Sequence, residues 1–315
     1  MAASAARKRL WRSRRRPRAD AVPEERPGRV LAFDSGIGGL GVVRALRAAL
    51  PAATVIDYLA DNALFPYGEQ PDDRLVARIV ALIGAAIAGR RPDVVLIACN
   101  TASTLALASL RTRYDLPFVG CVPPVRWAAR VSTSRVIGIL ATAATARRPY
   151  LRALRDEFAP DCTLITHGAR GLADLAERSF LGTAVPDELV ARELDSLFSQ
   201  PDGARIDAVG LGCTHYTFLA DAFARLSPPG VHWLDPAEAV AHRVATVLAT
   251  RSSIAGDLTA GDTPPPFLAE EMLLTGPAPD AEALDRAVRR IGYRGFRVLT
   301  PVETGEAPQL ARLTV

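Results

Sequence analysis

Two cysteines stand where a thiol can react. Cys99 follows the run Asp93-Val-Val-Leu-Ile-Ala98 and precedes Asn100 and Thr101. Cys213 follows Ala208-Val-Gly-Leu-Gly212 and precedes Thr214 and His215. Both runs read as buried parallel strands, and in open α/β sheets ligands bind at the carboxyl ends of strands. A cysteine used only for packing has no need of polar followers, so these two differ from Cys121 and Cys162, which read as core. His215 can take the Cys213 proton. Asp34, at a neighbouring strand end, can orient or deprotonate Cys99. Three chemistries use such groups. Cys99, Cys213, His215 and Asp34 can be counted as four metal ligands, but the paired spacing of common zinc sites is missing. Acyl transfer needs one cysteine and a histidine and leaves the second cysteine without a purpose. Proton transfer at a stereocentre needs two groups on opposite faces of the substrate, one ionised and one protonated, and two thiols supply them.

A second motif competes for attention. Gly36-Ile-Gly38-Gly-Leu-Gly41 follows an expected strand, precedes an expected helix and matches G-x-G-x-x-G, with Asp57 near the spacing of a ribose-binding acid. That context suits a dinucleotide. Asp34, two residues before the first glycine, opposes it, because a carboxylate there repels a pyrophosphate. The same turn suits a smaller anion held by backbone amides.

The elements that position these residues alternate. Strands are expected at 29–33, 54–59, 94–98, 116–121, 135–140, 163–166, 208–211 and 231–234, with helices between most of them. Asp235-Pro236 opens a helix over 237–249, Asp as N-cap and Pro at the first helical position. This alternation predicts an α/β fold with mainly parallel sheets flanked by helices. The pattern also repeats. Asp34 and Thr142 each follow a first strand, and Cys99 and Cys213 each follow a later one, at similar offsets. Two similar lobes are therefore expected, with the active site in the cleft between them. The first lobe is assigned to 29–122 plus 230–252 and the second to 123–229. Residues 253–315 read as a C-terminal extension with a helix near 281–291 and a strand near 295–299.

Composition narrows the classes. The chain has 315 residues, 49% of them hydrophobic, and a formal net charge of +4, which fits a globular protein with a substantial core. The basic charge is local: residues 1–29 hold ten Lys/Arg and three Asp/Glu, which leaves −3 for the rest. Residues 1–28 read as a disordered basic tail. No aromatic platform accompanies its arginines, so no nucleic-acid partner is expected, and no apolar run reaches the ~18–20 residues of a membrane span. Four widely spaced cysteines and the lack of a signal peptide suit a cytoplasmic protein. A homodimer is compatible with all of this, but the sequence does not set the oligomeric state. Lys8 is the only lysine, and it lies in the tail. A pyridoxal phosphate enzyme needs a lysine Schiff base, so a racemase built on this chain is expected to use no cofactor.

With these residues in view, the chain resembles the cofactor-independent glutamate racemases of the aspartate/glutamate racemase family. The matching motifs run in order: Phe33-Asp34-Ser35-Gly36-Ile37-Gly38-Gly39-Leu40, Pro66-Tyr67-Gly68, Ala98-Cys99-Asn100-Thr101-Ala102-Ser103, Leu140-Ala-Thr142-Ala-Ala-Thr145, Gly212-Cys213-Thr214-His215-Tyr216 and Asp235-Pro236-Ala237. The resemblance implies interconversion of L- and D-glutamate, with D-glutamate passing to peptidoglycan synthesis. It implies that Cys99 works on the D-enantiomer and Cys213 on the L-enantiomer, assisted by Asp34 and His215. It also implies that Asp34, Ser35, Tyr67, Gly68, Asn100, Thr101, Thr142, Thr145, Thr214 and His215 hold the substrate's amino and carboxylate groups. The chain departs from the family at Thr217, where a proline is usual, at Cys121 and at Ala144. The segment Leu172–Glu177 only partly matches a family segment that carries a glutamate, so Glu177 is not assigned a catalytic role. A racemase for aspartate or another small amino acid is the alternative within this class, and a non-catalytic binding protein of the same fold is the alternative outside it.

Overall fold

The apolar runs form the strands because both of their faces are covered. In the computed structural model, which describes residues 27–255 and 269–299, β1 (Arg29–Asp34), β2 (Val55–Ala60), β3 (Val94–Ile97) and β4 (Phe118–Gly120) lie parallel in the order β2-β1-β3-β4. Between them run α1 (Leu40–Ala49), α2 (Asp72–Arg90) and α3 (Asn100–Arg113). Val30 and Ala32 face one core with α1, while Leu31 and Phe33 face the other with α2 and α3. That period-two division, with both sides apolar, is the signature of a strand inside a doubly covered parallel sheet.

The second sheet repeats this order. After α4 (Val125–Val131) come β5 (Val136–Thr142), α5 (Ala143–Ala146), α6 (Pro149–Phe158), β6 (Thr163–Ala169), α7 (Leu172–Phe180), α8 (Asp187–Phe198), β7 (Ala208–Gly212), α9 (Ala220–Leu226) and β8 (His232–Leu234). Its strand order is β6-β5-β7-β8, all parallel. Each strand thus has a counterpart in the first sheet: β5 for β1, β6 for β2, β7 for β3 and β8 for β4. Asp34 and Thr142 end the paired first strands, and Cys99 and Cys213 follow the paired third strands. The two α/β lobes anticipated from the sequence are present, with matching topology.

The lobe boundaries differ from those read from the sequence. β8 pairs with β7 and so belongs to the second sheet, not the first lobe. The chain returns only with α10 (Ala237–Ala255), whose Val240, Ala241, Val244 and Leu248 join the core around α1. Residues 269–299 are not an appendage. β9 (Met272–Leu274) pairs with β2 and β10 (Arg297–Val298) pairs with β9, so the first sheet has six strands, and α11 (Ala281–Arg289) covers its α1 face. These strands are three and two residues long, too short for a periodicity signal. The helix that the sequence pattern suggests from Tyr216 to Leu226 begins later, because Thr214–Leu219 form a 3-10 turn before α9. That turn directs Tyr216 Oη to the Ala141 carbonyl at 3.2 Å and Thr217 Oγ1 to the Asp235 carboxylate. The tail expected over 1–28 lies almost wholly outside the described residues. Among the described residues, no helix is long and apolar enough to cross a membrane.

A buried ion network fastens β9 to the sheet. Asp57 on β2 is fully buried and accepts from Arg29 Nη1 at 2.5 Å, from Arg90 Nη2 and from the Glu271 amide at 3.1 Å. Arg90 also donates to Glu271 Oε2 at 2.8 Å and to the Ala269 carbonyl at 2.5 Å. Removing one member leaves an uncompensated buried charge. Arg90→Met is therefore expected to lower the unfolding free energy by about 3 kcal/mol, measured from the urea unfolding midpoint; an unchanged midpoint would contradict this role for the network.

Candidate active site

The strand ends of both lobes meet in one cleft. Asp34, the last residue of β1, is fully buried and accepts from the Gly36 amide at 2.9 Å. Across the cleft, Thr214 Oγ1 donates to Asp34 Oδ2 at 3.0 Å. Cys99 caps α3, and the Ala102 amide donates to its Sγ at 3.5 Å. Ser35 links these two groups, with its Oγ 3.7 Å from Cys99 Sγ and 3.4 Å from Asp34 Oδ1. Asp34 thus reaches Cys99 through a hydroxyl, where the sequence suggested direct assistance. Cys213 Sγ lies 3.9 Å from His215 Nδ1. On the far side of the ring, His215 Nε2 is 3.2 Å from Glu177 Oε1 on α7. The same carboxylate oxygen accepts from the Ile37 amide of the first lobe at 3.1 Å.

The glycine motif owes its composition to this meeting. A Cβ on Gly36 would lie 2.2 Å from Glu177 Oε1 and 2.9 Å from His215 Nε2, and a Cβ on Gly38 would lie 2.3 Å from His215 Nδ1. A Cβ on Gly41 would lie 2.6 Å from Thr217 Cγ2. The turn is filled by side chains of the second lobe, where a dinucleotide fold would place a pyrophosphate. Asp57 is bound to two arginines in the network above and is not a ribose acid. Tyr58, which carries no signal in the sequence, sits beneath the turn and donates from Oη to the Gly36 carbonyl at 2.8 Å.

The two thiols have different electrostatic surroundings. Burial pushes the Cys99 thiol up to about 12, and the Asp34 charge adds to the rise against the Ala102 amide and the Ser35 hydroxyl. Burial also raises Asp34, opposed by the His215 charge and by the Gly36 and Thr214 hydrogen bonds. His215 goes the other way for a buried base. Burial disfavours its charge, but Cys213, Glu177 and Asp34 together lift its pKa well above the ordinary value. Burial thus keeps the proton on Cys99, while Cys213 lies beside a histidine whose charged form its neighbours favour.

The remaining residues singled out from the sequence fall into two groups. Thr101, Thr142 and Thr145 form a triangle of hydroxyls across the cleft, with oxygen separations of 3.2, 3.3 and 3.1 Å. Gly68 packs against this triangle; a Cβ there would lie 2.9 Å from Thr142 Cβ. Asn100 is buried, with Nδ2 3.5 Å from the Cys121 carbonyl and Oδ1 without a partner among the described residues. The Tyr67 side chain is turned into the core. Its hydroxyl donates to Asp61 at 2.7 Å and its ring lies 6.4 Å from that of Phe33, so the side chain supports the site from behind. Glu177, given no role from the sequence, joins the site. Its position on α7 is visible in the pattern, but its contacts with His215 and Ile37 span 38 and 140 residues and leave no local signal.

Both thiols are only 6% exposed. A cavity of about 430 Å³ lies on the Gly68 and Thr142 side of the cleft, lined also by Tyr216, by Arg147 and Arg170, and by Glu69, Asp72 and Asp174. Arg148 of the second lobe spans the mouth to Asp72 of the first, Nη2 to Oδ1 at 2.8 Å and Nη1 to Oδ2 at 3.0 Å. Both thiols are thus buried between the lobes, which this ion pair joins.

Known proteins resemble this chain in sequence and in fold. Residues 40–244 match the model of the family described as Asp/Glu/Hydantoin racemase. A glutamate racemase of Granulibacter bethesdensis is 50% identical over 281 residues, covering 88% of this chain and 98% of its own length. One from Brucella anthropi is 47% identical over 236 residues, covering 75% of this chain and 83% of its own. Among solved structures, the Escherichia coli glutamate racemase in complex with L-glutamate and the activator UDP-MurNAc-Ala superposes with a TM-score of 0.77 at 33% identity, over 88% of this chain and 99% of that one. The isoform RacE1 from Bacillus anthracis gives 0.70 at 25% identity, over 89% and 99%. Cleft, paired thiols and these relatives agree: the chain is an isomerase that belongs to the Asp/Glu/hydantoin racemase family.

Proposed function

We propose that this chain interconverts L- and D-glutamate by proton transfer between two thiols, as a cytoplasmic enzyme that supplies D-glutamate for peptidoglycan synthesis. The observation that carries the reading is the placement of Cys99 and Cys213 at equivalent strand ends of two topologically equivalent lobes, facing one cleft. A two-base reaction needs two groups that approach Cα from opposite sides, and two lobes closing on one substrate provide that approach. The relatives named above, from two bacteria and two solved structures, support glutamate as the substrate.

The electrostatics favour a defined resting state. Cys99 holds its proton and is ready to donate it. Cys213 lies 3.9 Å from His215 Nδ1 and can pass its proton there, while the second ring nitrogen faces Glu177. In the L-to-D direction the Cys213 thiolate takes the Cα proton, and the electron pair of the broken C–H bond spreads onto the substrate carboxylate. Cys99 then delivers its proton to the other face, leaving a Cys99 thiolate and a Cys213 thiol. The reverse direction starts from that state, with the Ala102 amide and the Ser35 hydroxyl stabilising the Cys99 thiolate. Asp34, reached through Ser35, is placed to accept or return a proton on that side.

Binding is assigned to neutral groups. Thr101, Thr142, Thr145, Gly68 and Thr214 surround the place where the α-carboxylate would sit, and hydroxyls and amides donate to it without a fixed charge. Asn100 Oδ1, buried and without a protein partner among the described residues, accepts from the substrate ammonium; a buried acceptor of this kind gains from a charged donor.

Purified protein without added cofactor is expected to interconvert the glutamate enantiomers, followed by circular dichroism. Loss of one proton-transfer group typically removes ~10²–10⁴-fold of rate, so Cys213→Ala is expected to abolish Cα exchange of L-glutamate and Cys99→Ala that of D-glutamate. Turnover of aspartate in preference to glutamate would contradict the substrate assignment, and full activity in either variant would contradict the mechanism.

His215 provides an independent check. Its folded pKa lies above its unfolded value, so its stabilising contribution is fully present below about 6.5 and is lost as pH rises through the folded value. An NMR titration of His215 is expected to give a midpoint clearly above about 6.5, and Glu177→Gln is expected to lower it. A midpoint at or below the free value would contradict a charged His215 beside Cys213.

A further inference from the structure

The segment Thr275-Gly276-Pro277, beyond the last motif of the family resemblance, is built into the floor of the site. Asp61 follows β2 and is fully buried. Its Oδ1 accepts from Arg78 Nη2 at 2.6 Å and from Thr275 Oγ1 at 2.5 Å; its Oδ2 accepts from Arg78 Nε at 2.6 Å and from Tyr67 Oη at 2.7 Å. All four bonds are charge-assisted, the strong class of protein hydrogen bond. Thr275 is used twice more. Its hydroxyl accepts from the Ala63 amide at 3.2 Å, and its own amide donates to the Ala60 carbonyl at 3.0 Å. Asn62 pairs with the next residues: Oδ1 accepts from the Gly276 amide at 2.8 Å, and Nδ2 donates to the Gly276 and Pro277 carbonyls at 3.1 and 2.9 Å. A Cβ on Gly276 would lie 3.1 Å from Ala63 Cα, so the two backbones touch.

This clamp acts on both ends of one loop. At the start, the Asp61 amide donates to the Asp34 carbonyl at 2.8 Å, next to the carboxylate that reaches Cys99 through Ser35. At the end, Asp61 holds Tyr67 Oη, and Tyr67 packs with Phe33 and Cys99 in the same core. Gly68 then lies against Thr142, part of the threonine triangle. Without the clamp, the backbone of 62–66 would keep only its 3-10 turn bonds, which hold a loop weakly, beside the packing of Leu64 on the core and of Phe65 on His215, ring centroids 5.2 Å apart.

We infer that Thr275 and Asp61 are positioning residues, and that Thr275–Pro277 set the placement of the loop Asn62–Gly68 against the substrate. The inference rests on the reading of Gly68 and the threonine triangle as the substrate's grip. The hydroxyl of Thr275 is the part that only this role requires, since Val fills similar space without donating or accepting.

The test compares the full-length chain with Thr275→Val and Thr275→Ser by hydrogen exchange and by glutamate kinetics. In Thr275→Val, amides of 61–70 are expected to exchange faster than in the wild type, while peptides of the second lobe keep their protection. KM for glutamate is expected to rise about tenfold with kcat changed less than about threefold, and Thr275→Ser is expected to restore both. Unchanged exchange of the loop in a folded Thr275→Val chain overturns the clamp. A loosened loop with unchanged KM overturns its role in substrate placement. If Thr275→Val fails to fold, Asn62→Ala, which removes only the outer bonds, replaces it with the same two readouts. Lack of racemisation in the wild type counts against the proposed activity instead, and the exchange of 61–70 then decides the clamp alone.

Discussion

The site depends on one close approach: the His215 ring and the Glu177 carboxylate of the second lobe occupy the volume that side chains at Gly36 and Gly38 would fill. Glu177 also accepts the Ile37 amide, so the glycine turn is where the second lobe is received. This contact has three effects. It fixes the distance between the lobes, and with it the separation of the thiols. It buries His215 beside two carboxylates, which keeps the imidazole charged against the cost of burial. It also sets Thr214 against Asp34, giving the β1 strand end a partner from across the cleft. A methyl group at Gly38 would push the ring aside and disturb all three.

The lobes match in topology, but their chemistry does not. The first-lobe thiol has a carboxylate and a hydroxyl for company and is held neutral by burial and by that carboxylate. The second-lobe thiol has an imidazolium. A symmetric pair would leave two protonated thiols or two repelling thiolates, and neither state can begin a two-base transfer. The asymmetry arises from the residues just past the strand ends: Ser35 directly after β1, and His215 two residues after Cys213. Divergence of a few residues at equivalent strand ends is enough to give two similar lobes complementary roles.

Much of this is legible in local pattern. Apolar runs ending in polar residues mark β1, β3, β5 and β7, and their terminal residues are those gathered in the cleft, because the carboxyl end of a strand is a property of a few adjacent residues. The parts that escape such a reading depend on distant partners. β9 and β10 are too short to show a period, and β9 is held by Asp57 with Arg90 and Glu271. β8 falls in the second lobe rather than the first because a short strand carries no label for its sheet. Glu177 lies in a segment that only partly matches the family, and only the folded chain brings it to His215. Tyr67 is near the site as expected, but its hydroxyl is committed to Asp61. The G-x-G-x-x-G turn is ambiguous for the opposite reason: small residues mark a close approach without naming the group that approaches.

The central claim is that each thiol serves one face of Cα. The fate of the Cα hydrogen at low conversion in heavy water tests it directly. Starting from L-glutamate, the D-glutamate formed first is expected to carry deuterium at Cα, delivered by the exchanged Cys99 thiol, while unreacted L-glutamate remains almost wholly protiated. D-glutamate that retains the original hydrogen would mean that one group removes and returns the same proton, and the two-thiol account would be wrong.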